Sequence, residues 1–403
     1  MNPRTRKARA NAPELDEVYK SVRPVPQRED QRRPGPPPAL NVRRFGEPAL
    51  ADALALAIGA QDRVERATHG FHTYPANMHP DGARALIEVC PGPVYDPFCG
   101  GGTVLVEALL AGRAAAGSDL SPIAVLVARA RTAGPEAATP LRAAARRVSE
   151  KAKDRREAPV TTPELAATWY EPHVASELAH LRDAITEEAD AVRPLLWAVL
   201  SSIIVKVSFR ESDTRNVRTT SHRPPGTTNV LFHKKARELG RALESLPAGR
   251  HAEVRRADAS RKPPPPGTGL ILTSPPYPGV YDYLPMQQLR YAWLDLDPGA
   301  GLVEEVGSRR SFRALGRAEG MNRWRSDTAA WVNNQASGLA SGARMAIVVG
   351  DGFVGGRLVD ALFPTVEAME QSGMKVLARA SADRLDHARE VIRIEHLVLA
   401  EKR

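Results

Sequence analysis

Cysteine is nearly missing from these 403 residues: Cys90 and Cys99 are the two present, and they form no C-x-x-C pair. Two thiols cannot build a disulfide framework, and without a histidine cluster at ligand spacing no structural zinc is expected, so no metal ligand is assigned. Long apolar runs are missing too. No stretch approaches the ~18 residues of a membrane span, and the N-terminus lacks the apolar core of a signal peptide, so the expectation is a soluble, cytoplasmic protein with no membrane partner. Acidic charge is in deficit: 47 Asp plus Glu stand against 56 Lys plus Arg, a net charge of +9. That excess favours a polyanionic partner such as nucleic acid or anionic lipid. An ordinary basic protein would show the same balance.

What is present divides the chain into four parts. Residues 1–45 are rich in arginine and proline and poor in apolar side chains, which reads as a disordered basic arm. Residues 46–134 carry the first half of an α/β domain. From Pro93 the pattern runs strand (Pro93-Val-Tyr-Asp96), glycine-rich turn, helix (Val104-Leu-Val-Glu-Ala-Leu-Leu110) and strand (Ala114-Ala-Ala-Gly-Ser-Asp119), a βαβ unit opening a doubly wound sheet. Residues 135–250 show helical apolar spacing and no strand pattern, and read as a helical insertion. Residues 251–403 supply five more strands: 251–255, 269–272, 344–349, 374–377 and 391–399. The expected fold is a Rossmann-like α/β domain with a seven-stranded, mostly parallel sheet. Its last two strands, joined by a turn around Asp383 to Asp386, are expected to form an antiparallel hairpin at the sheet edge.

Two motifs carry chemistry. In Asp96-Pro97-Phe98-Cys99-Gly100-Gly101-Gly102-Thr103, successive glycines let a ligand approach the backbone closely where a first parallel strand opens into a helix. The glycine block departs from the G-x-G-x-x-G of dinucleotide sites. Asp119, at the next strand end, can accept both hydroxyls of a ribose. The second motif is Ser274-Pro275-Pro276-Tyr277, following the apolar run Gly269-Leu-Ile-Leu-Thr273. Two prolines have fixed φ and no N–H, so the strand stops pairing and turns its carbonyls outward as a rigid rim. Ser274 Oγ and a backbone carbonyl then offer acceptors for the two hydrogens of an exocyclic amino group, and Tyr277 offers a flat face for stacking. Alone, the tetrapeptide would equally suit a polyproline turn.

Asp-Pro-Phe-x-Gly-x-Gly-Thr followed by Ser-Pro-Pro-Tyr resembles the S-adenosylmethionine-dependent amino-methyltransferases of DNA, which methylate cytosine N4 or adenine N6. The resemblance covers roughly residues 69–125 and 251–403. It implies S-adenosyl-L-methionine as cofactor, held by Asp96, Pro97, Phe98, Cys99, Gly100, Gly102, Thr103, Asp119 and Leu120. It also implies Tyr74 and Pro75, from Phe71-His-Thr-Tyr-Pro-Ala-Asn-Met-His79-Pro80, at the methionine end, and Asp258 near the adenine. Ser274 to Tyr277 become the catalytic rim, and serine in the first position is the form associated with cytosine N4. Cys99 is read as a packed thiol, not a nucleophile. The expected partner is duplex DNA with a flipped base, with a restriction endonuclease as a further partner.

Other segments stay open between two readings. Ser208 to Arg223, Lys234-Lys235-Ala-Arg237 and Gly307 to Arg313 are either nucleic-acid contacts or solvated charge. Tyr281 and Tyr283 either line a base pocket or pack on the sheet. The insertion either recognises a target sequence or caps the cofactor. RNA in place of DNA, and a non-catalytic nucleic-acid-binding protein on the same fold, are the competing readings of the whole chain.

Overall fold

The computed structural model describes residues 41–62, 64–75, 77–220, 222–299, 305–386 and 391–403. Most of the expected arm, residues 1–40, lies outside them, but its last residues do not: Val42–Gly46 form a strand, β1. Helices α1 (Pro48–Gly59) and α2 (Pro80–Val89) follow, then β2 (Val94–Asp96), α3 (Thr103–Leu110), β3 (Ala115–Asp119) and α4 (Pro122–Arg131). Proline opens α1, α2 and α4, where its fixed φ suits the helix and its missing N–H has no intrahelical partner to lose.

Between residues 135 and 250 the described chain forms helices joined by loops and no strand, with a single bridge between Arg210 and Arg218. Here α5 (Ala138–Asp154), the single turn α6 (Ala166–Trp169), α7 (Pro172–Thr186), α8 (Arg193–Ile204) and α9 (Thr227–Leu243) bury their apolar faces together. The same core takes in Ile123 and Val127 of α4 and Leu289 and Trp293 of α10 (Tyr283–Leu294). The insertion is thus fastened to α4 and α10 by an apolar interface.

The remaining elements are β4 (Glu253–Arg256), β5 (Leu270–Thr273), α11 (Arg309–Ser337), β6 (Arg344–Gly350), the small hairpin of β7 (Gly352–Val354) and β8 (Arg357–Val359), α12 (Leu362–Gln371), β9 (Met374–Asp386) and β10 (Val391–Lys402). The main sheet has order β1-β9-β10-β6-β5-β2-β3-β4, with β4, β3, β2, β5 and β6 mutually parallel. All seven expected strands are in it. The sheet has eight, however, because β1 pairs antiparallel with β9. The hairpin of β9 and β10 is therefore not at the edge: β10 lies between β6 and β9, and β1 covers the outer side of β9. The segment Asp383 to Asp386, expected as a turn, is strand, with Leu385 facing Ile392 across the ladder. Gly46 allows the edge pairing, since a Cβ there would stand 2.3 Å from the Leu377 carbonyl oxygen.

Both faces of the sheet are covered, which is why its central strands read as unbroken apolar runs. Leu270, Leu272, Ala346 and Val348 face α1, α2 and α3. Ile271, Met345, Ile347 and Val349 face the other way, onto Trp324 and Trp331 of α11 and Met369 of α12. The chain winds from β2 outward through β3 and β4, then returns to start β5 on the other side of β2. A crevice opens beyond the carboxyl ends of strands where the winding reverses, and ligands bind there.

Candidate active site

Four neighbouring parallel strands deliver one polar residue each to that crevice: Asp96 ends β2, Asp119 ends β3, Asp258 follows β4 and Ser274 follows β5. All four line a cavity of about 320 Å³. Tyr74, Pro75, Pro97, Phe98, Cys99, Gly100, Thr103, Leu120 and Pro276 line it too. Gly102 does not. It is the N-cap of α3 with φ 81°, and a Cβ there would lie 3.0 Å from the Ala128 Cβ, so its lack of a side chain serves the turn and the packing of α4.

The aspartates are held by backbone amides. Asp119 accepts from Gly100 N at 2.9 Å and Ser121 N at 2.8 Å, and burial pushes its carboxyl up to about 6 against those bonds. Asp96 accepts from Phe98 N at 3.0 Å and Thr273 Oγ1 at 2.7 Å. Burial carries it to about 7. Asp258 accepts from Ser260 N and Oγ at 2.8 and 2.7 Å, which closes the loop after β4. Cys99 is buried, and burial raises its thiol well above the usual range, a state that suppresses the thiolate.

Behind the glycine turn lies a charged network absent from any motif. Arg131, 1% exposed, donates from Nη1 to the Gly101 carbonyl at 2.6 Å and from Nε to the Thr68 carbonyl at 3.1 Å. Its Nη2 lies 2.9 Å from His69 Nδ1, and His69 Nε2 lies 2.6 Å from Glu107 Oε1, with Arg66 on Glu107 Oε2 at 2.9 Å. The network ties the segment carrying Tyr74 to the turn.

A second cavity of about 310 Å³ adjoins the first and shares Asn77, Met78, Ser274 and Tyr283 with it. Pro275 and Tyr277 line only this one, together with Tyr281, Arg384 and Glu395. The Tyr277 ring rests on Gly350, where a Cβ would stand 2.6 Å from its Cε2. The Pro276 carbonyl accepts from Trp324 Nε1 at 3.2 Å, so the rim is braced from α11. Tyr281 and Tyr283 pair with ring centroids 5.7 Å apart, and Tyr283 N donates to Glu305 Oε1 at 2.7 Å. Burial moves Glu305 up to about 7.

Several lining residues had no signal in the sequence. Glu305, Asp327 and Trp331 approach the cavity from distant parts of the chain, and Trp331 meets Phe98 edge-on at 5.1 Å. Asn77 and Met78 could have been found, since they lie in the segment that supplies Tyr74. Some basic residues turn inward instead of facing solvent. Arg210 donates to the Met286 carbonyl at 2.9 Å, Asp213 pairs with Arg290 at 2.5 Å, and Arg309 and Arg310 bond to the Val280 carbonyl and to Glu305. Lys235 pairs with Glu238 along α9 at 2.5 Å. Arg215, Arg218, Arg313 and Arg317 stay exposed.

Residues 71–162 match the family described as RMKL-like, methyltransferase domain. The stretch around the glycine turn is thus similar to a methyltransferase domain. A stretch of 71 residues is 39% identical to the type II methyltransferase M.MvaI of Kocuria varians and spans 16% of this chain and 16% of that protein. Among solved structures, TrmN from Thermus thermophilus aligns over 80% of this chain and 48% of its own at 12% identity, with a TM-score of 0.29. The rRNA methyltransferase aviRa from Streptomyces viridochromogenes aligns over 82% of this chain and 88% of its own at 14% identity, with a TM-score of 0.31. Likenesses so distant carry no argument about substrate. The cofactor expected of such a domain is S-adenosyl-L-methionine. The cradle fits it by its geometry: Asp119 and Asp258, both half-buried, sit at adjacent strand ends with their carboxyls on the cavity, and the bare backbone of Gly100 faces Tyr74, whose Cε1 a Cβ would meet at 3.3 Å. Among the described residues no helix is long and apolar enough to cross a membrane.

Proposed function

We propose that this protein transfers a methyl group from S-adenosylmethionine to the exocyclic amino group of a base flipped out of duplex DNA, with cytosine N4 as the acceptor. The observation that carries the reading is the position of Ser274, in the wall between the two cavities. The cofactor, when bound, supplies an electrophilic methyl group. Tyr74, Pro75, Asp96 and the glycine turn hold it in the first cavity, with Asp119 accepting from its ribose and Asp258 beside its adenine. The second cavity takes the flipped base, with Tyr277 as the stacking face and Tyr281 and Tyr283 closing the rim. Ser274 Oγ accepts one amino hydrogen and fixes the nitrogen lone pair toward the first cavity, a gain in orientation and not in covalent chemistry, and the nitrogen gives up its surplus proton to water once it is methylated. Stacking offsets part of the few kcal/mol spent in unstacking the base.

The likeness to a type II methyltransferase supports DNA over RNA and a role as the modification partner of a restriction endonuclease. Arg215 and Arg218 lie on a loop that Arg210 ties to the Pro285 and Met286 carbonyls, at the start of the helix carrying Tyr283. We assign that loop and the exposed Arg313 and Arg317 to phosphate contacts near the base pocket. The helical insertion then braces the cofactor half through its apolar interface and presents this loop. Incubation with labelled cofactor and either unmethylated genomic DNA or total RNA, followed by mass spectrometry of the nucleosides, tests the reading. N4-methylcytosine in the DNA arm is expected, and label in RNA alone overturns it.

A further inference from the structure

The Ser-Pro-Pro-Tyr rim has a partner on the last strand of the sheet. Tyr277 OH donates to Glu395 Oε1 at 3.0 Å, and Ser274 Oγ donates to Tyr277 OH at 3.3 Å. Glu395 belongs to β10, 118 residues beyond Tyr277, and its other oxygen, Oε2, accepts from Arg384 Nε of β9 at 2.9 Å. Both Glu395 and Arg384 line the second cavity.

We propose that Glu395 is a positioning residue for methyl transfer, acting through Tyr277 to fix the direction in which the Ser274 hydroxyl points. The inference rests on the amino-transfer reading above and deepens it. Hydrogen-bond direction carries the argument. An ionised carboxylate only accepts, so the Tyr277 proton must point at Glu395. With its proton committed, Tyr277 can only accept from Ser274, and the Ser274 proton is committed in turn. What Ser274 Oγ leaves facing the cavities is lone-pair density alone, the complement of an amino N–H. A serine hydroxyl without this constraint has three staggered rotamers, and in some of them it points its proton at the amine.

Glu395→Gln is close in size, yet it should reverse the chain. Arg384 Nε donates and cannot accept, so the glutamine must turn its carbonyl oxygen to Arg384 and its NH₂ to Tyr277. Tyr277 then accepts from the glutamine and donates to Ser274, whose own proton is driven toward the base. The expected result is a loss on the order of 100-fold in kcat, the scale of one misdirected polar group at a reacting centre, with KM for DNA changed far less. Tyr277→Phe keeps the ring but cuts the chain, leaving the Ser274 hydroxyl free to rotate at a cost of about threefold.

The decisive variant is the double one. With the chain cut, the glutamine can no longer reach Ser274, so Tyr277→Phe should restore most of the activity that Glu395→Gln removes. A merely structural role for Glu395, such as anchoring Arg384, would make the two losses multiply. The assay is methyl transfer from labelled cofactor to unmethylated genomic DNA, with total RNA in parallel. Multiplying losses in an active enzyme overturn the inference and leave the proposed function standing, whereas a wild type that labels neither substrate overturns the proposed function. A second measurement needs no turnover. Burial raises the Tyr277 phenol well above its usual range and the carboxylate beside it raises it further, so its tyrosinate absorbance, isolated by difference against Tyr277→Phe, should appear at lower pH in Glu395→Gln, where the second cause is gone. An unchanged titration would show that the contact on which the inference depends does not operate.

Discussion

Arg131→Met tests whether the cofactor turn is held by the charged network behind it. Methionine keeps an unbranched apolar stem of similar reach and removes the guanidinium. Three bonds go with it, to the Gly101 carbonyl, the Thr68 carbonyl and His69 Nδ1. Hydrogen bonds made by a charged group contribute about 1.5–3 kcal/mol each, so the gross loss is roughly 4–9 kcal/mol. Against it stands the hydration that the buried guanidinium gives up. Burial pulls Arg131 down to about 10, a cost on the order of 3 kcal/mol that the variant recovers. The net destabilisation is then about 3 kcal/mol, read from urea unfolding followed by circular dichroism. Because Gly101 and the segment carrying Tyr74 are released together, cofactor affinity by calorimetry should fall at least tenfold under conditions where the variant is still folded. A variant that loses stability but binds cofactor as tightly as the wild type would refute the reasoning, since it would show the turn to be set by α3 and β2 alone.

Ser274→Ala should slow methyl transfer on the order of 100- to 1000-fold while calorimetry finds cofactor affinity within about threefold of wild type; lost cofactor affinity would contradict the division of roles between the cavities. Asp119→Ala should do the opposite and weaken cofactor binding first. Two cavity carboxyls also give a pH signature. Asp96 and Asp119 are raised by burial to about 7 and about 6, so between pH 4 and 7 the folded protein binds more protons than the unfolded chain, and these groups lower stability as pH rises. Thermal melts of cofactor-free protein should show a smaller decline over that window in Asp96→Asn than in wild type. Cofactor affinity should rise over the same window as Asp119 ionises and its oxygens become acceptors for ribose hydroxyls, and a flat profile would count against that contact. Gly102→Ala should destabilise by about 1–2 kcal/mol in chemical unfolding, because the residue sits at positive φ with Ala128 3.0 Å from the added Cβ.

The local parts of the protein were legible in its sequence. Apolar runs such as Leu270–Thr273 and Arg344–Gly350 mark strands buried on both faces. Prolines mark the starts of α1, α2, α4 and α7. The glycine turn and Ser-Pro-Pro-Tyr fall at strand ends because each breaks the ladder within a few residues. Their chemistry depends on residues adjacent in the chain, so the chain itself states it.

Tertiary structure decided whatever joins distant residues. Val42-Arg-Arg-Phe-Gly46 has no apolar alternation, and it becomes a strand only because β9 offers an unpaired edge to its backbone. Hydrogen bonds from backbone groups carry no residue signature, so the eighth strand left no mark in the sequence. The same holds for Arg131, which reads as one more cation at the end of a helix until the fold buries it behind Gly101, and for Glu395, which reads as a surface charge on a strand until β10 brings it to Tyr277. Burial turns such charges from solvated groups into fixed donors and acceptors. The sequence by itself determined the fold class and the two motifs; the sheet order set Ser274 in the wall between two cavities and gave its hydroxyl a direction.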